Sequence, residues 1–202
     1  MMPRWLAQGL SGVFHPLLVP TYLVAALLWG APASLFSLAA EARPHVLAVV
    51  VISTFLLPAL GTYALVRTGR VASLLLPNHR ERSGPLLLAL VGFAVAARVL
   101  GAVEPVLGLA LGLQAVAVAL TWLISRYWLI SAHGVAMGGT VGLALLLSRL
   151  VPGGSVWPLA GALALAGAVG TARLALDAHT PAQVWAGLAL GLGVGAGAAA
   201  VI

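Results

Sequence analysis

Arg173, Asp177, His179 and Gln183 crowd into one short stretch of a chain that otherwise carries almost no charge. A bilayer penalises such groups, so their presence asks for a chemical reason. A guanidinium that grips an anion through two N–H groups, beside an imidazole able to attack it, suits phosphoryl transfer. The local pattern adds a second device. Thr180-Pro181-Ala182-Gln183 reads as a helix start, with Thr as N-cap, Pro at the first helical position and Gln closing a capping box. His179 then stands just ahead of a helix N-terminus, where open amide groups and the positive dipole end favour an anion. The cap accounts for Thr180, Pro181 and Gln183. It leaves Arg173 and His179, at the same expected membrane depth, still to be explained.

Two other polar clusters could join this one. Ser131-Ala132-His133-Gly134 precedes another helix start, after Arg126, Tyr127 and Trp128, whose rings suit a membrane interface. With two imidazoles on one face, a neutral one can attack phosphorus while a protonated one donates to the leaving oxygen. Positioned arginines would stabilise the charge of the transferring group. Arg67 to Pro85 is the longest polar segment and holds Asn78, His79, Arg80, Glu81 and Arg82. By composition alone it reads more readily as a solvated cytoplasmic loop. His15, beside Pro16 and Pro20, suits either a pocket wall or the headgroup interface.

The elements that must position these residues are membrane helices. The 202-residue chain is 62% hydrophobic and 7% charged, where a soluble domain has about 25% charged residues. That composition predicts an all-α, polytopic bundle of about six or seven spans in one domain over 1–202. Expected spans are 14–36, 46–66 with a kink at Pro58, 86–103, 106–125, 134–150, 159–174 and 182–202. Gly134, Gly138 and Gly142 bare one face of the fifth, and Gly187, Gly191 and Gly195 one face of the last. Either stripe would let a helix approach closely, within the monomer or in a homo-oligomer.

Counting spans puts all three polar clusters on one face of the membrane. Arg4, Arg67, Arg70 and Arg126 on that face favour the cytoplasmic side. An inner (cell) membrane of a bacterium is the expected location. All ten basic residues are Arg, scattered between apolar spans rather than set in a stripe, so nucleic acid is a poor partner and anionic membrane lipids a good one. The absence of Cys excludes thiolate chemistry and Cys–metal sites. The N-terminus has no apolar core with a cleavage site, which predicts no removable signal peptide.

The spacing Arg173-x5-His179-x3-Gln183 resembles the third motif, Ser-Arg-x5-His-x3-Asp, of the type 2 phosphatidic acid phosphatase (PAP2) superfamily. Ser131-Ala132-His133 is similar to that family's second motif, Pro-Ser-Gly-His. Asn78 to Pro85 loosely resembles the first, Lys-x6-Arg-Pro. The resemblance covers about 110 residues, in the family's motif order. It implies a PAP2-like helical core and a metal- and cofactor-independent phosphatase acting on a lipid phosphate or pyrophosphate through a phosphohistidine. In it His179 would be the nucleophile and His133 the general acid. Gln183 would orient His179, and Arg173 would bind phosphate together with Arg80, Arg82, Ser131 and Gly134. The chain departs from the pattern at Gln183, where the family has Asp, and at Ala172, Ile130 and Ala132. Pro77 and Gly84 stand where the first motif has its basic residues.

Gln183 can accept the imidazole N–H but cannot stabilise an imidazolium by charge. A catalytically impaired member that binds or transports a lipid phosphate is therefore the serious alternative. A Mg²⁺-dependent enzyme would need a carboxylate cluster, and Glu41, Glu81, Glu104 and Asp177 are widely scattered.

Overall fold

The computed structural model describes residues 2–30, 38–74, 76, 79–150 and 156–197, with the backbone alone at 79, 80 and 150. Every regular element among them is helical. In chain order these are α1 (Arg4–Val13), α2 (Val19–Gly30), α3 (Arg43–Val50), α4 (Leu57–Arg67), α5 (Ser83–Gly101), α6 (Pro105–Ser125), α7 (Ala132–Leu150), α8 (Trp157–Ala175) and α9 (Pro181–Gly197).

All seven expected apolar stretches contain helix. Four helical stretches are long and apolar enough to cross a membrane: Ala40–Arg67, Ser83–Gly101, Pro105–Ser125 and Trp157–Ala175. That composition fits an integral membrane protein. The expected first span is shorter in the structure: α2 has 12 residues, because the chain turns at His15 and Pro16 before helix begins at Val19. The far ends of the expected first and last spans, and residues 151–155 of the fifth turn, lie outside the described residues.

The chain groups into two compact units. One joins Met1–Pro16 to Leu129–Ile202, and the other is Leu17–Trp128.

In the Leu17–Trp128 unit the kink expected at Pro58 takes a specific form. Pro has no N–H for the carbonyl four residues back, and its ring crowds that carbonyl. The helix relieves this by widening into a π turn at Val51–Leu56, between α3 and α4. Thr54 Oγ1 donates to the Val50 carbonyl at 2.9 Å across the widened turn. The Ser53 carbonyl rests against Gly92 of α5, where a Cβ would collide with it. α5 and α6 form a hairpin whose core is Ala89, Phe93 and Ala115, and Trp122 Nε1 donates to Ser83 Oγ at 2.9 Å.

In the other unit, the two glycine stripes meet each other. α7 and α9 run parallel in close contact, with Gly134 against Gly187 and Gly142 against Gly195. A Cβ on Gly142 would lie 2.9 Å from Gly195 Cα, and one on Gly191 would collide with the Val135 carbonyl. The stripes thus pack against each other within the chain. α1 packs on α8 through its one buried face, Ala7 and Ser11, spaced four residues apart.

Candidate functional site

Three helix ends of the Met1–Pro16 and Leu129–Ile202 unit build the site. α8 ends in a tight reversal. Leu176 N–H donates to the Ala172 carbonyl at 3.1 Å, and Ala178 N–H to that of Arg173 at 3.2 Å. Between them Asp177 takes a left-handed φ of 52°, a conformation Asp tolerates better than most residues. Asp177 is therefore a turn residue with an exposed side chain. The reversal delivers His179 beside the last turn of α8, which carries Arg173.

α9 then starts with the capping box that its sequence pattern predicts. Gln183 N–H donates to Thr180 Oγ1 at 3.4 Å, and Gln183 Oε1 accepts from Thr180 N–H at 3.1 Å. The same Oε1 lies 3.1 Å from His179 Nδ1. This pair of contacts fixes a tautomer. A backbone N–H can only donate, so the Gln183 atom facing it is the carbonyl oxygen. That oxygen can only accept, so His179 Nδ1 carries the proton. In the neutral ring the lone pair is then on Nε2. His179 itself is buried, with 8% of its surface exposed.

α7 starts alongside. Ser131 N–H donates to the Gln183 carbonyl at 3.2 Å, tying the beginning of α7 to the beginning of α9. Ser131 is fully buried, and its Oγ accepts from Gly134 N–H at 3.2 Å as the N-cap of α7. Both residues were expected to bind phosphate. Ser131 caps α7 and ties it to α9, and Gly134 lets α9 approach, with the Val184 carbonyl 2.8 Å from where its Cβ would be.

His133 follows Ser131 on the first turn of α7. Its Nε2 lies 3.0 Å from the Ser11 carbonyl of α1, so Nε2–H donates there and Nδ1 is the position left for exchange. The His15 ring meets His133 edge to face, with centroids 5.8 Å apart and planes at 80°. The charges of Arg173, His15 and His179 all act on His133, and Arg173 also acts on His15. Loss of hydration first, and the Arg173 charge second, push the His15 imidazole below its ordinary value. The residue still keeps an open side toward the outside.

Arg173 completes the group. Its Nε is buried and makes no hydrogen bond. A buried guanidinium N–H left unmade costs free energy, and an anion would recover it.

The structure thus gathers His133, His179, Gln183 and Arg173 at one end of three helices, and adds His15 and the Ser11 carbonyl. Sequence spacing could not show that addition, because Ser11 and His133 meet across most of the chain. The signal it did offer is that Ala7 and Ser11, four residues apart, share one face of α1.

The first polar cluster lies in the Leu17–Trp128 unit. The Arg80 side chain lies outside the described residues, as do Pro77 and Asn78. Arg82 Nε donates to the Leu76 carbonyl at 3.0 Å, and Glu81 Oε2 accepts from Ala72 N–H at 2.9 Å. Both side chains therefore hold the loop in shape. Among the described residues no three His, Asp or Glu side chains converge closely enough to hold a metal ion.

Fold and site together define a helical protein with an imidazole–guanidinium cluster suited to a tetrahedral anion. Compared with known proteins, the chain matches no family model, no curated protein and no solved structure.

Proposed function

We propose that this protein is a membrane-embedded phosphatase of a lipid phosphate or pyrophosphate, acting through a phosphohistidine at His179. The observation that carries the reading is the locked imidazole. Gln183 Oε1 and Thr180 N–H together place the proton on Nδ1, which leaves Nε2 as nucleophile, in the unit where Arg173 Nε is buried without a partner.

In this reading the phosphoryl group sits against Arg173 at the N-terminal end of α9, where the helix dipole adds to the attraction. Nε2 of His179 attacks phosphorus, the ester P–O bond breaks, and the leaving oxygen takes a proton from His133. Water then attacks the phosphohistidine, the N–P bond breaks, and the proton from water returns to His133. Membrane lipids surround the four apolar helices. The arginine distribution favours a site toward the cytoplasm. The substrate class, phosphatidic acid, phosphatidylglycerophosphate or a polyprenyl phosphate, follows from the resemblance to the PAP2 superfamily.

One residue favours a second reading. Gln183 orients His179 but brings no negative charge to the imidazolium, and an Asp-to-Asn change in the comparable place of a serine protease costs about 10⁴ in rate. A lipid-phosphate binder or transporter with this pocket would keep the arginine and lose turnover.

The experiment is a panel of lipid phosphates and pyrophosphates offered to the purified protein in detergent without added metal, beside His179→Ala. Phosphate release by the wild type alone supports the phosphatase. Lipid binding by both proteins with release by neither selects the binder.

A further inference from the structure

The N-terminal segment contributes more to the site than packing. It touches His133 twice, through the Ser11 carbonyl and through the His15 ring. The first contact restricts His133, because a proton on Nε2 is committed to Ser11 and only Nδ1 can exchange. The second places another acid–base group against the same ring. We propose that His15 is a second acid–base residue of this site, forming with His133 an imidazole pair that takes up one shared proton when a tetrahedral anion binds at Arg173. This rests on the phosphatase reading for its purpose, though not for its test.

The charge arrangement dictates the behaviour. Arg173 from α8 acts on both rings, His179 from the turn before α9 and the Ser11 carbonyl of α1 act on His133, and the two rings touch each other. Beside an uncompensated guanidinium, neither ring gains by protonation. Two imidazolium rings in edge contact repel, which weakens a second protonation by about a hundredfold at an effective dielectric near 20. A bound dianion cancels the Arg173 charge and leaves one negative charge over, so the pair gains one proton and no more. That proton reaches the leaving oxygen as the P–O bond breaks, and the pair recovers it from the water that hydrolyses the phosphohistidine. His15 is the more exposed of the two rings.

The test uses the full chain in detergent micelles and inorganic sulfate, a tetrahedral dianion that does not itself titrate near neutrality. Calorimetric titration in buffers of low and high ionisation enthalpy counts protons taken up per sulfate bound. The wild type should take up about one. His15→Gln should lose at least half of the uptake and, with the coupled proton lost, bind sulfate more weakly by about fivefold to tenfold. Ring-nitrogen NMR shifts of the histidines in the unsubstituted protein check the same point without a variant: sulfate should drive one of the His15–His133 pair to the protonated form. Sulfate binding with no proton uptake, or uptake unchanged in His15→Gln, overturns the pair. No sulfate binding at all overturns the anion site itself. Uptake as predicted in a protein that releases no phosphate from any lipid sinks the phosphatase and leaves the pair standing.

Discussion

Arg173 and Arg82 are the same residue type in two regions of one chain, used in opposite ways. Arg82 spends its Nε–H on the Leu76 carbonyl, in a loop where Glu81 likewise spends its carboxylate on a backbone amide. Arg173 keeps its Nε buried with no bond made. The first is an arginine whose cost is already offset by the fold. The second holds a buried donor unmade, which the proposed anion would complete. Sequence composition cannot separate the two, because both sit among polar neighbours next to apolar helices. Their hydrogen bonds do.

The deepest break in this comparison comes from the imidazole beside Arg173. His179→Asn should lower phosphate release at least about 10³-fold while the protein still folds, since removing a nucleophile leaves only binding and electrostatic stabilisation. The arginines themselves come next. Arg173→Gln should weaken sulfate binding by about 10² to 10³, the range for losing one preorganised donor to an anion. Arg82→Gln should change it by less than about threefold and lower the unfolding midpoint slightly, by about 1 kcal/mol for one backbone bond. Equal losses of anion binding in the two variants would erase the distinction.

The scaffold can be tested against itself in the same way. Gly191→Leu puts a side chain into the Val135 carbonyl and should cost about 3 kcal/mol in reversible unfolding. Gly193→Leu, two residues along the same helix with nothing within 4 Å of its Cβ position, should be near neutral. The smallest effect is expected at the cap: Thr180→Ala should cost about 1 kcal/mol and raise the mobility of Gln183, so release falls more than stability does.

What was legible in the sequence was local. The capping box at Thr180–Gln183 needs only one turn of helix, and it forms between the residues its pattern names. Both glycine stripes were visible as four-residue repeats, although only the structure shows that they face each other. Pro58 announced a disturbance, yet the π turn depends on how the chain relieved it and on Gly92 making room. The use of Ser131 as the cap of α7 shows only in its bond to Gly134 N–H, because a motif residue next to a helix start can serve a cap as well as an anion. His15 was left between two readings because its partner lies across most of the chain, where spacing carries no information. The two-unit grouping was likewise hidden, since the first unit is assembled from both ends of the sequence.

The central claim is that His179 Nε2 forms a bond to phosphorus. It is tested most directly by mixing the protein with a labelled lipid phosphate, quenching in alkali, which preserves phosphohistidine, and locating the label by mass spectrometry. The account predicts label on His179 in the wild type and more of it in Gln183→Asp under rapid quench, with none in His179→Asn. Label on another residue, or released phosphate with no labelled protein at any quench time, would contradict it.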